Sequence, residues 1–372
     1  MKPYFVPILG LLCIVFSCAG PKNPKSDSQY PGAETFTDSL VPEVRSLTGE
    51  KLPFPELMEP LALVQQNGYI YLVNSDRMKS RISVYTTDGR RLCDMLSRGR
   101  GPGEALSGRY LYYAPQRNAL VHTDYVQQKV LLYDVDTLEN NLSRLAGGAD
   151  RDGIVIRPQE EIRLDETACW RSFPARNGET VSLTLSEGDR PWIITTDPNG
   201  TLLRSCGAHP ELPDAVDPVY WSQIFACNAV VDSAAGRMAV LYQNTDLLDI
   251  YDLATGERLH RLHGPAGFYP KFRCERQGNT YPAFSIDGET RDAYFVGVSR
   301  GGLIWASYSG HPVSDEIQPV QHIYAFDWEG TPRMKFTVDR PVLSFDVDPE
   351  SRTIYVLSYE EDGNSHVYRY VY

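Results

Sequence analysis

The residues whose types and spacing could do chemistry are few, and the first are a glycine-rich run. Gly99-Arg100-Gly101-Pro102-Gly103-Glu104 has the outline of a phosphate loop. It fails as one. Glu104 stands where a dinucleotide site needs its third glycine, Pro102 interrupts the run, and no helical pattern follows whose N-terminus could receive a phosphate. There is no Walker A run and no G-x-S-x-G elbow. His260 and His263 are three apart in a strand pattern, so they face opposite sides and cannot chelate together. His122, His209, His311, His322 and His366 are dispersed. Asp134/Asp136 and Asp346/Asp348 resemble paired carboxylates, but both pairs lie at strand ends, where Asp caps turns. No D-x-[DN]-x-[DN]-G calcium loop is present. Cys93, Cys169, Cys206, Cys227 and Cys274 are odd in number and widely spaced, with no C-x-x-C pair, so they read as small buried residues. No catalytic set, metal or cofactor is expected from these residues.

The elements that position such residues are strands. Of 372 residues, 42% are apolar and 11% aromatic, with 23 Tyr, 29 Gly and 26 Pro, a balance that favours β structure with many turns. The net charge of −12 repels phosphate backbones and argues against nucleic acid as a partner. One phrase recurs: an apolar strand, an Asp- or Gly-bearing turn, then a second strand. It occurs at residues 82–92, 130–138, 192–200, 248–257 and 323–330. Two further strands precede most copies, as Leu61 to Val64 and Tyr69 to Asn74 precede the first. The third copy shows only Thr180 to Leu185 upstream. Two strands plus a hairpin make a four-stranded unit.

Five such units fit between residues 55 and 338. The tail offers three strands, Val342 to Val347, Thr353 to Ser358 and His366 to Val371. A strand from Glu34 to Val44 would supply the missing fourth. The predicted fold is therefore all-β, a six-bladed β-propeller of four-stranded antiparallel blades spanning 34–372, its last blade closed by an N-terminal strand.

The N-terminus is an address. A cationic Met1-Lys2 precedes an apolar run from Val6 to Phe16, too short to span a bilayer comfortably, then Ser17-Cys18-Ala19-Gly20. Residues 1–17 read as a lipoprotein signal, Cys18 as the lipidated residue, and 18–33 as a flexible tether. That places the chain in a cell envelope, on an outer membrane with the periplasmic side favoured because no acidic cluster follows Cys18.

This signal, the repeat count, the Gly99 to Glu104 loop and Tyr308-Ser309-Gly310 resemble the TolB-like six-bladed β-propeller lipoproteins of Bacteroidetes. The resemblance implies the propeller and the envelope location, and it implies no enzymatic activity.

In a propeller, connections from one blade's outer strand to the next blade's inner strand share a face with the central opening. Three long ones, 99–110, 207–221 and 264–284, carry aromatics and arginines. With Arg98, Arg100 and Glu104 at the rim, they put Tyr110, Tyr220, Trp221, Tyr269, Arg273 and Tyr281 on one candidate binding face. The expectation is a monomeric, non-catalytic scaffold that binds a protein or peptide. A lactonase- or lyase-type propeller with an axial metal, and a carbohydrate binder, are the alternatives.

Overall fold

In the strand Tyr69–Asn74, Ile70 and Leu72 pack toward one neighbouring sheet while Tyr71 and Val73 pack toward the other. Period-2 alternation with both faces apolar is what a sheet buried between two sheets requires. Strand Arg237–Tyr242 does the same: Met238, Val240 and Tyr242 face the preceding blade, Ala239 and Leu241 the following one. Repeated around a ring, this yields six apolar clusters, one at each junction between consecutive blades. The core is therefore annular.

The computed structural model describes residues 29–57, 59–150, 154–164, 169–175, 177–184, 191–211, 220–277, 281–286, 291–313, 319–360 and 363–372, with backbone only within 273–286. It is a six-bladed β-propeller. Blade 1 is Pro60–Gln66, Tyr69–Asn74, Ser80–Thr86 and Arg91–Ser97. Blade 2 is Tyr110–Ala114, Ala119–Asp124, Lys129–Asp134 and Glu160–Arg163. Blade 3 is Cys169–Pro174, Thr180–Thr184, Ile193–Thr196 and Leu202–Cys206. Blade 4 is Cys227–Asp232, Arg237–Tyr242, Leu247–Asp252 and Arg258–His263. Blade 5 is Tyr294–Arg300, Leu303–Tyr308, His322–Phe326 and Pro332–Val338. A hairpin, Phe272–Gln277 with Tyr281–Ile286, stands between blades 4 and 5.

Blade 6 comprises Ser344–Asp348, Thr353–Tyr359 and Ser365–Val371, and an N-terminal strand closes it. That strand is Glu50–Lys51, antiparallel to Ser365–Val371, and not the expected Glu34 to Val44. The earlier segment does different work. Glu34–Thr35 runs parallel to the outer strand of blade 4, and Glu43–Leu47 runs parallel to the outer strand of blade 5. The N-terminal segment is thus a strap across the outer edges of three consecutive blades. It covers edges that would otherwise present unpaired backbone groups. Phe36 anchors it, packed edge-on against Tyr324 and Phe326. The packing starts earlier than Glu34: Tyr30 is 1% exposed, between the rings of His263 and Tyr269.

Two other expectations change. The turn expected after Asp134 is a helix, Val135–Ala146, with Asp134 accepting a bond from the Thr137 amide as its N-cap. Val135, Leu138, Leu142 and Leu145 bury one face of it against blade 1. Blade 3 also has the inner strand that the sequence pattern hid, Cys169–Pro174. Among the described residues, no helix is long and apolar enough to cross a membrane.

Candidate functional site: an axial cup

The six inner strands surround an axial cavity of about 720 Å³. Each inner strand starts where the connection from the previous blade arrives, and runs down the axis from there. Early residues such as Tyr110, Trp170 and Cys227 therefore ring one end, and late residues such as Gln66, Tyr113 and Arg300 ring the other.

The far end is closed by charge. The Arg300 guanidinium donates to Asp346 through Nε (2.9 Å) and Nη2 (2.6 Å), to the Gln65 carbonyl (2.7 Å) and to Gln66 Oε1 (3.0 Å). It also lies 5.0 Å from the Tyr113 ring centre. Asp346 accepts the Gln65 amide at 2.8 Å. One ion pair thus joins blades 5, 6, 1 and 2. Burial opposes the charge on Arg300, and Asp346 more than restores it, so its pKa lies above the usual arginine value. The cavity is a cup with a polar floor.

The other end is aromatic. Trp170 packs against Tyr110 (5.4 Å between ring centres) and Tyr125 (5.0 Å). In the connection from blade 3 to blade 4, His209 stacks between Trp192 (5.2 Å) and Phe225 (5.8 Å), with Trp221 edge-on to it. Burial pushes the His209 pKa down to about 4, which keeps it neutral near pH 7.

Arg171 lies just inside this mouth, 7% exposed, on the blade 3 inner strand. Its guanidinium carbon is 5.6 Å from the Tyr110 ring centre, 5.7 Å from Tyr112 and 5.3 Å from Phe173. Its Nε is buried with no hydrogen-bond partner. Burial lowers its pKa, with Tyr110 and Tyr112 pulling the other way. Arginine nevertheless keeps its proton in a protein.

The residues expected on the binding face divide. Tyr110 lines the cup. Trp221 contacts the lining residue His209, and Tyr220 is buried in the blade 3–4 core. Tyr269 packs on Tyr30 and His263 beneath the strap, its hydroxyl 2.6 Å from the Gln29 amide. Glu104 closes its own loop by accepting the Gly101 amide at 2.8 Å, while Arg98 and Arg100 are exposed outside the cup. Arg273 and Tyr281 belong to the inserted hairpin, and their side chains lie outside the described residues, as does Cys18. Asp346 is the buried partner of Arg300, whereas Asp348 caps a turn through the Glu350 and Ser351 amides. The residues the sequence left unmarked are Trp170, Arg171 and Phe173. The repeat count supplied a signal for them, since a fourth strand had to precede Thr180. Among the described residues, no three His, Cys, Asp or Glu side chains converge as a metal ion would require.

No protein-family model and no curated protein sequence matches this chain. Solved structures do. A member of the DUF4221 family from Bacteroides vulgatus is 8% identical with a TM-score of 0.50, covering 87% of this chain and 97% of its own. A protein described as exported, from Bacteroides fragilis, is 12% identical with a TM-score of 0.48, covering 90% of this chain and 98% of its own. A luciferin-regenerating enzyme is 11% identical with a TM-score of 0.44, covering 88% and 96%. At such identities, what this chain shares with the Bacteroides vulgatus protein is the six-bladed propeller.

Proposed function

We propose that this chain is an exported, non-catalytic binding propeller, held on a membrane by acylated Cys18, that takes the end of a peptide into its axial cup. The observation that carries the reading is the shape and lining of the cup: about 720 Å³, closed at the floor and ringed at the mouth by Trp170, Tyr110 and Tyr125. Concave, mostly apolar sites of ~300–1,000 Å³ with a few placed polar groups are what small ligands and chain ends occupy. Aromatic and arginine side chains supply most of the energy at such sites.

The test is fluorescence anisotropy with a labelled peptide pool on the mature chain and on two cup-filling variants, Ser299→Trp near the floor and Ala226→Trp near the mouth. Both residues line the cavity. Binding that weakens in both variants, with unchanged circular dichroism, supports the reading. Binding that survives both places the ligand elsewhere. The anchor is tested separately by labelled palmitate, whose incorporation Cys18→Ser is expected to abolish.

A further inference from the structure

The described residues that line the cup carry three arginines, Arg109, Arg171 and Arg300, against one carboxylate, Asp346, in a chain whose net charge is −12. Arg300 and Asp346 satisfy each other at the floor. Arg109 is exposed at the rim. Arg171 remains, a buried cation whose side chain makes no ion pair and no hydrogen bond among the described residues.

A buried guanidinium without an acid is expensive to keep, and the Nε–H of Arg171 has left water without gaining an acceptor. The rings of Tyr110, Tyr112 and Phe173 offset part of its charge. They do not accept its five N–H groups in the fork geometry that a carboxylate matches. Arg261 shows what this chain does when a buried arginine is purely structural: Nε and Nη2 bond both oxygens of Asp249, at 2.7 and 2.6 Å. Arg171 has no such acid among the described residues, and it lines the cup.

We infer that Arg171 is the receptor for a carboxylate brought by the ligand, and that the cup reads the free C-terminus of a peptide ending in an apolar residue. This deepens the proposed peptide-binding role and depends on it. The carboxylate would enter past Trp170 and Tyr110 to reach Arg171, with the last apolar side chain going toward Val230, Val296 and Val298. A small aromatic or aliphatic carboxylic acid has the same chemistry, and the experiment separates the two sources.

The probe is fluorescein-Ser-Gly-Ser-Ala-Leu-Phe, prepared as the free acid and as the C-terminal amide, with 3-phenylpropionate as the small-acid competitor. On the wild-type chain the acid is expected to bind at least about tenfold tighter than the amide. Arg171→Met is expected to erase that preference, so that acid and amide bind alike, and Arg171→Lys to keep part of it. Arg171→Met is also expected to unfold at a higher urea concentration than wild type, since it removes an uncompensated buried charge. A structural arginine would move that midpoint down. Equal binding of acid and amide by wild type, or an acid preference that survives in Arg171→Met, overturns the carboxylate assignment while peptide binding stands. Binding of neither form, together with no binding of 3-phenylpropionate to wild type by calorimetry, overturns both. If 3-phenylpropionate binds wild type but not Arg171→Met and the peptide does not bind, the carboxylate receptor holds and the small acid replaces the peptide as its source.

Discussion

Arg300 and Asp346 come from the inner strands of adjacent blades, and their 2.6 Å contact forms the floor of the axial cup. Breaking such a pair from one side strands the other charge, which costs about 3–5 kcal/mol when the group is buried. Asp346→Asn is therefore expected to lower unfolding stability by that order. The double variant Arg300→Met/Asp346→Leu is expected to recover most of it, since apolar groups of similar size leave no orphan charge. Urea unfolding of the three proteins decides. A single variant as stable as wild type would show that the pair does not tie the blades together.

The strap makes a second case. Phe36 is buried against Tyr324 and Phe326, and Asp38 bonds Lys335 at 2.6 Å and the Tyr324 hydroxyl at 2.5 Å. Burial raises the Asp38 pKa, but the bonds from Lys335 and Tyr324 outweigh it and hold the carboxyl below its usual value. The aspartate is about half exposed, so its pair contributes little, about 1 kcal/mol or less. Phe36→Ala is expected to cost about 3–5 kcal/mol, because it leaves a cavity between strap and blade 5. Val44→Ala, also on the strap but exposed, is expected to change stability by less than about 0.5 kcal/mol. Comparable losses from both would mean that burial does not govern how the strap holds.

Asp246 and Asp124 show how connections are fixed to blades. Asp246, fully buried in the turn between the middle strands of blade 4, accepts the amides of Ala266 (2.8 Å), Gly267 (2.8 Å) and Phe268 (3.0 Å). Asp124 does the same in blade 2 for Leu106 (2.7 Å), Ser107 (3.3 Å), Val126 (3.0 Å) and Gln127 (3.1 Å). Asp246→Ala leaves three amides without their acceptor and is expected to destabilise by several kcal/mol, at roughly 1–3 kcal/mol per stranded buried group. Hydrogen exchange should quicken first at Ala266, Gly267 and Phe268. Protection unchanged at those three amides would show that the carboxylate does not hold the loop.

The blades were legible in the sequence because each middle strand is apolar on both faces and each hairpin carries Asp or Gly. Four features were not. The closing strand Glu50–Lys51 has two charged residues and is followed by Pro53, so nothing apolar marks it; a strand at the rim of a blade has little to bury. Glu43–Leu47 is largely exposed and its apolar residues Val44 and Leu47 are three apart, so no period-2 pattern marks it, and nothing in it says which blade it joins or in which direction. The inner strand of blade 3 places Arg171 on a buried face, and a charge there breaks the apolar pattern that identifies its siblings. The strand missed for that reason is the one that carries the candidate receptor. The helix Val135–Ala146 was missed as well: Val135, Leu138, Leu142 and Leu145 recur at helical spacing, but Asp134 after an apolar strand reads as a hairpin turn.

Acid sensitivity follows from two buried histidines. His122 is 0% exposed, and burial pushes its pKa down to about 4 against the pull of Asp124 and the Ser107 carbonyl. His209, between Trp192 and Phe225, is likewise pushed down to about 4 by burial. An unfolded histidine titrates near 6.5. Between about pH 6.5 and 4 the unfolded chain therefore binds protons that the folded chain refuses, and stability falls as the pH falls. Each histidine accounts for roughly 3 kcal/mol at most, fully present above the unfolded value and gone below about pH 4. His209→Phe keeps a ring between its two neighbours and removes the titration. It is expected to lose less stability than wild type between pH 7 and pH 5 in urea unfolding. A loss equal to that of wild type would show that His209 is already protonated in the folded protein at pH 5, and that the aromatic stack does not exclude the charge.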